Sequence, residues 1–128
     1  MARVIAFGHD ELRGVHLPPR SRGCDFCATG MPIWHYPART IGLGTICYGE
    51  DTYRSISIGH WAACWECSEL VEAGDWPALA RHTVRSLNID LSQAGPGTRV
   101  KLLAWTHHAH EQFRKARNGP RVPAGRAA

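Results

Sequence analysis

The chain lacks any apolar run near the ~20 residues that a membrane-spanning helix needs. Its start, Met1 to Gly8, lacks the charged opening and long apolar core of a secretory signal. A cytoplasmic location is the resulting expectation, with no membrane partner. No phosphate-cradling glycine loop, nucleophile elbow or H-E-x-x-H pair occurs, which removes the common signatures of nucleotide, serine-type and zinc-dependent hydrolysis. Large core formers are scarce too: three Phe and three Tyr stand against thirteen Gly in 128 residues. A chain of this length is one domain by size, and one so poor in core formers gains from a metal crosslink. The odd count of five cysteines leaves no complete disulfide framework. In a reducing compartment, paired cysteines read as metal ligands.

Acidic residues are missing from one end. Residues 1–98 hold eight Lys and Arg against ten Asp and Glu, whereas residues 99–128 hold seven against Glu111 alone. The net +4 therefore comes from the C-terminal part. Such a segment suits phosphates or an acidic protein surface, and it also suits a solubilising helix with a frayed tail.

What is present falls into short strands and then helices. Arg3–Phe7 has the β-branched look of a strand, and 14–23, with Pro18 and Pro19, reads as a loop. Thr40–Tyr48 and Tyr53–His60 are β-rich around Gly49-Glu50-Asp51, which predicts a hairpin. There Ile56, Ile58 and His60 alternate with Ser55, Ser57 and Gly59, as for one buried face. A first helix is expected from Ala62 or Ala63 to a stop at Gly74. A second follows an Asp75 cap, tolerates Pro77 in its first turn, and repeats Trp76, Leu79, Ala80, Val84, Leu87 and Leu91 at helical spacing. Thr98 is expected to cap a third helix running to about Arg117, with Val100, Leu103, Ala104 and Phe113 on its buried stripe. Asn118-Gly119-Pro120 stops it. The expected organisation is one zinc-stabilised domain over 1–118, with a metal module at about 24–74, a helical extension at about 75–118, and a basic tail at 119–128.

The strongest signal is a pair of C-x-x-C motifs, Cys24-Asp25-Phe26-Cys27 and Cys64-Trp65-Glu66-Cys67. Two intervening residues let both thiolates of a motif reach one ion from a tight turn or a first helical turn. Two motifs complete a tetrahedral shell of four thiolates, the closed structural zinc site. The 36 residues between them hold a strand and a hairpin, and the second motif runs into a helical pattern. The expected fold is thus α+β: a treble-clef-like zinc finger of knuckle, hairpin and helix, followed by two further helices. One structural Zn2+ is the expected cofactor. Iron is the alternative ion, since four cysteines also hold iron and iron–sulfur clusters. A rubredoxin-like knuckle carries Gly after its second cysteine, where this chain has Ala28 and Ser68. A closed shell leaves no open position for water, so this metal is not read as catalytic.

Other candidates are weaker. Cys47 sits within a strand pattern and reads as a small buried residue. His35 and His60 lie near the cysteines in sequence. His60 is a candidate substitute ligand, and with partners it would suggest a nuclease, but no histidine follows the second cysteine pair. Thr106-His107-His108-Ala109-His110-Glu111 places His107 one turn from Glu111 and on one face with His110. That is a candidate second metal or acid–base site, set against a solvated helix face.

The runs C-D-F-C at 24–27, W-H-Y-P-A-R at 34–39, W-A-A-C-W-E-C at 61–67, L-V-E-A-G-D-W at 70–76 and L-A-R at 79–81 resemble a group of small four-cysteine proteins of high-GC Gram-positive bacteria and their phages. The resemblance covers about Cys24 to Arg85. It implies a zinc-bearing fold with following helices and implies no activity. Trp34 and Tyr36 should share a face of an extended run, and Trp61 and Trp65 should pack together at the helix start. Such aromatics cover a metal site, or form a stacking platform for bases, or a hot spot for a protein.

Three functions remain, and the first is favoured because it alone uses the charge asymmetry directly. One is a non-catalytic module binding nucleic acid through the basic C-terminal helix and tail: Arg99, Lys101, Arg114, Lys115, Arg117 and Arg121, with Arg126 beyond. A second is a protein-binding adaptor or regulator, in a nucleoprotein complex or a phage assembly. The third is a metal-dependent nuclease using His60 or the His107–Glu111 group.

Overall fold

The computed structural model describes residues 23–48, 51–57, 59–86, 92, 94–95 and 97–125; for 44–48 and 51–57 only the backbone is described. The expected strand at 3–7, the loop at 14–22, the buried face around Ile56 and Ile58, the side chain of Cys47 and the repeat beyond Ser86 lie outside these residues.

The described chain is α+β, with small antiparallel sheets and three helices. The elements run β1 (Trp34–Tyr36), β2 (Ile41–Tyr48), β3 (Asp51–Ser57), β4 (Trp61–Ala63), α1 (Trp65–Ala73), α2 (Trp76–Ser86), α3 (Thr98–Ala116) and β5 (Val122–Pro123). The expected hairpin is present: β2 pairs antiparallel with β3, with an irregularity between Gly42 and Gly44. A second sheet places β1 between β4 and β5.

Local chemistry explains the helix boundaries. Gly74 ends α1 at φ 68°, a left-handed conformation that glycine adopts without strain. Its N–H donates to Val71 O and the Asp75 N–H to Leu70 O, both at 3.0 Å, which satisfies two of the last carbonyls. Asp75 then caps α2, its Oδ1 accepting from Ala78 N at 3.2 Å. The first helix begins at Trp65, later than expected, because 61–63 are drawn into pairing with β1. Thr98 is a correction. Gly97, at φ 79°, holds the cap position, and the Thr98 hydroxyl donates back to Gly95 O at 2.7 Å.

The stripe of α3 is also phased differently from the apolar reading. Leu102, Thr106, Ala109, His110, Phe113 and Ala116 are buried, while Val100 and Ala104 are exposed. Only Phe113 of the expected set is fully buried. Thr106 is accommodated because its hydroxyl donates to Leu102 O one turn back, at 2.7 Å.

An aromatic core joins sheet, knuckle and α3. Phe113 meets the rings of Phe26, Tyr36 and Trp61 at 5.2, 5.6 and 5.0 Å between centroids. Two of these contacts are edge-on, an arrangement that the ring quadrupole favours. Few large residues thus suffice, because they cluster. The expected partnership of Trp61 and Trp65 does not form: Trp61 is in this core and Trp65 faces outward.

The stretch expected as a tail returns to the sheet. Ala38 bridges Arg117, Asn118 N donates to Pro37 O at 3.0 Å, His35 pairs with Val122, and Ala124 N donates to Ile33 O at 2.9 Å. Residues 117–124 thus run antiparallel to 33–38 as its edge strand.

Candidate metal centre

The two C-x-x-C motifs come together. Cys24, Cys27, Cys64 and Cys67 are all buried, and their sulfurs lie within 4.8 Å of one another. Cys27 Sγ and Cys64 Sγ are 3.8 Å apart. Thiolates at ~2.3 Å from one tetrahedral ion would stand about 3.8 Å apart, so this cluster is of the size to hold a metal ion.

Each motif is shaped for the task. The first is a turn in which Ala28 N donates to Cys24 O at 2.8 Å. Phe26 N and Gly30 N point at Cys24 Sγ and Cys27 Sγ, each at 3.4 Å, and Thr29 Oγ1 donates to Cys27 Sγ at 3.6 Å. Such donors favour sulfur as the thiolate. Cys64 occupies the N-cap of α1 and Cys67 lies in its first turn, where the helix dipole favours negative charge.

Asp25 closes the site laterally. Its Oδ2 accepts from Ala62 N at 2.6 Å while its own N–H donates to Ala62 O at 2.8 Å. This docks the knuckle on the outer edge of β4. Burial raises the Asp25 pKa, opposed by the Ala62 hydrogen bond.

The sulfurs do not ionise independently. The hydrogen bond from Cys67 lowers Cys24 to about 5; that same bond, with burial and the neighbouring sulfurs, raises Cys67. Burial, foremost, pushes Cys64 up to about 11. Four thiolates this close repel one another, and a cation among them is what would let all four ionise. The donor set therefore fits a metal ion.

Gly30 carries no expectation from the sequence, and Ala28 enters there only as a departure from the rubredoxin-like pattern. A Cβ on Gly30 would lie 2.5 Å from Cys64 Cβ and 2.7 Å from its sulfur, so only glycine lets the motifs meet. Ala28 holds φ 67°, a left-handed conformation that glycine adopts without strain. The signal for both was the spacing C-x-x-C-A-x-G, readable once the turn is known.

The remaining candidates do not gather. His60 is exposed at the approach to β4. His107 and Glu111 are exposed on α3, and Glu111 pairs with Arg114 at 3.0 Å. His110 points into the core against Phe26 and Trp76, and burial lowers its pKa to about 4. Among the described residues, the four cysteines are the one group of metal-ligating side chains brought together.

The basic residues are divided as well. Arg117 lies 4.7 Å over the Tyr36 ring and 3.7 Å from Glu72. Arg121 lies 4.0 Å over Trp34, near Glu69 and Glu72. Arg114 sits over Trp76 beside Glu111. Arg99 and Lys115 are exposed, and Lys101 is half-buried.

Comparison of the chain with protein-family models, curated proteins and solved structures finds no match. No described helix is long and apolar enough to cross a membrane.

Proposed function

We propose that the chain is a structural-zinc module of treble-clef-like build that works by binding another protein, with no reaction at the metal. Turn, hairpin and helix in that order, with the second motif at the helix start, support the treble-clef reading. Zinc is favoured because four buried thiolates in a closed shell suit it. Bound there, it would crosslink the knuckle to α1 and let all four sulfurs ionise.

One observation carries the protein-binding reading: Trp65, adjacent to Cys64, is 61% exposed, Met31 after the knuckle is 81% exposed, and the two line one open cleft. Trp and Met are enriched where proteins meet, and exposing them has no folding rationale.

Nucleic-acid binding is the second reading. The basic surplus of residues 99–128 and the exposed Arg99 and Lys115 favour it. Against it, Arg114, Arg117 and Arg121 are committed to carboxylates and rings of the same chain. Arg99 and Lys115 lie near opposite ends of α3, about 24 Å apart at 1.5 Å per residue. Purification from the native cell, with metal analysis, separates the readings. One zinc per chain and a stoichiometric protein partner are expected. Recovery of nucleic acid alone, released by moderate salt, would overturn the proposal.

A further inference from the structure

An open cleft of about 430 Å³ lies beside the metal centre. Cys27, Gly30 and Cys64 line its inner side; Met31, Ile33 and Trp65 supply apolar walls; Glu66 and His82 complete it. The volume falls in the range of ordinary ligand pockets and is of a size for one or two side chains. Scattered exposed apolar residues are normal on any surface, but here three of the exposed large ones converge on one concavity.

The charge at this cleft is directional. α1 carries Glu66, Glu69 and Glu72. Glu69 and Glu72 face Arg121 and Arg117. Among the described residues Glu66, its side chain 72% exposed, meets His82 Nε2 at 3.4 Å. Among the described residues no lysine or arginine answers it. A cation brought to this rim would meet a carboxylate that no described lysine or arginine pairs, beside the exposed indole of Trp65, two groups that attract it together.

We propose that this cleft binds a linear segment of another protein in which an apolar side chain stands next to a lysine or arginine. The apolar side chain enters between Met31, Ile33 and Trp65, and the cation pairs with Glu66 over the face of Trp65. This deepens the protein-binding reading and rests on it. Because Cys27 and Cys64 line the inner side, the bound segment also covers that edge of the metal centre.

The test is selection of random peptides from a phage-displayed library on the full zinc-loaded chain, followed by anisotropy titration of an enriched synthetic peptide. Enriched sequences should share an apolar residue adjacent to Lys or Arg. Trp65→Ala and Glu66→Lys should each weaken binding by about tenfold or more, while Val100→Ser, an exposed apolar site on α3, leaves it unchanged. Trp65 and Glu66 are outward-facing, so the variants should keep their zinc and helical content; Met31→Ser, at the far wall, repeats the loss should Trp65→Ala fail to fold. Absence of enrichment, binding equal in all variants, or enrichment of acidic peptides overturns the proposal. So does concentration-dependent self-association abolished by Trp65→Ala, which would make a second copy the occupant. If native-cell purification still yields a protein partner with Trp65→Ala, this cleft is wrong and the adaptor reading stands. If it yields only nucleic acid, the adaptor reading itself fails.

Discussion

Arg121 reaches across 53 residues of sequence to donate from Nη1 to Ser68 Oγ at 2.7 Å, directly beside Cys67 of the four-cysteine cluster. The same oxygen lies 2.9 Å from the Tyr36 hydroxyl. The guanidinium also covers Trp34 and approaches Glu69 and Glu72. One side chain therefore pins β5, β1 and α1 together next to the metal centre.

Arg121→Ala should destabilise the fold by about 2 kcal/mol, from a lost charge-assisted hydrogen bond and a lost cation–π contact. The ion pairs add little, since both carboxylates are substantially exposed. Arg121→Lys should recover less than half, because an ammonium cannot stack flat on the indole while reaching Ser68. Urea unfolding of the zinc-loaded variants measures this. A change below about 0.5 kcal/mol would show that the C-terminal strand contributes nothing.

The two small residues of the knuckle should respond in opposite directions. Ala28 holds a left-handed backbone that costs an L-residue about 1 kcal/mol. Ala28→Gly removes that cost but gains unfolded-state entropy, so stability should rise by a few tenths of a kcal/mol up to about 1. Gly30→Ala places a Cβ within 2.5 Å of Cys64 Cβ, where backbone and ligand must both shift. Competition with a chromogenic chelator should show zinc affinity kept in the first variant and lowered at least about tenfold in the second.

These contrasts show what was legible in the sequence. Signals confined to a few residues were: Gly74 as a stop, Asp75 as a cap, the β2–β3 hairpin, and the two cysteine pairs as one cluster. Each depends on spacing or on one backbone conformation. What needed distant partners was not legible. Nothing near Arg121 indicates Trp34 or Ser68, so a basic tail was expected where an edge strand forms. The α3 stripe was misphased because Thr106 and His110 are polar by type yet buried. Trp65 was expected to pack on Trp61, but Cys64 separates strand from helix and turns the two indoles apart.

Metal removal should unfold the centre. Without the ion the raised sulfurs revert to thiols and the crosslink between the knuckle and α1 is lost, and the core around Phe26 hangs on the knuckle. Chelation should release one equivalent of zinc and abolish cooperative thermal unfolding. Single Cys→Ser variants at 24, 27, 64 and 67 should each lower affinity by orders of magnitude. A coloured protein with iron in place of zinc would overturn the zinc assignment and leave the four-cysteine site standing. Cobalt(II) substitution should give the visible absorption of a four-coordinate thiolate site, lost in each variant.

His110 gives the chain a specific sensitivity to acid. Its side chain is buried, its Nδ1 has no hydrogen-bond partner, and its pKa falls from 6.5 to about 4, chiefly by desolvation and secondarily through His107. The neutral imidazole is tolerated among Phe26, Trp76 and the α3 stripe; the imidazolium is not. The sign follows from linkage. The unfolded chain takes up the proton near pH 6.5 and the folded chain only near 4, so the contribution is whole above about 6.5 and is lost progressively as pH falls between those values. Between pH 7.5 and 5.5 the loss should be on the order of 1 kcal/mol. His110→Leu should remove this slope while keeping most of the packing. Subtracting its pH profile from that of the native chain cancels protonation of the cysteines, which both proteins share. Parallel profiles for the two proteins would show that His110 is solvated in solution.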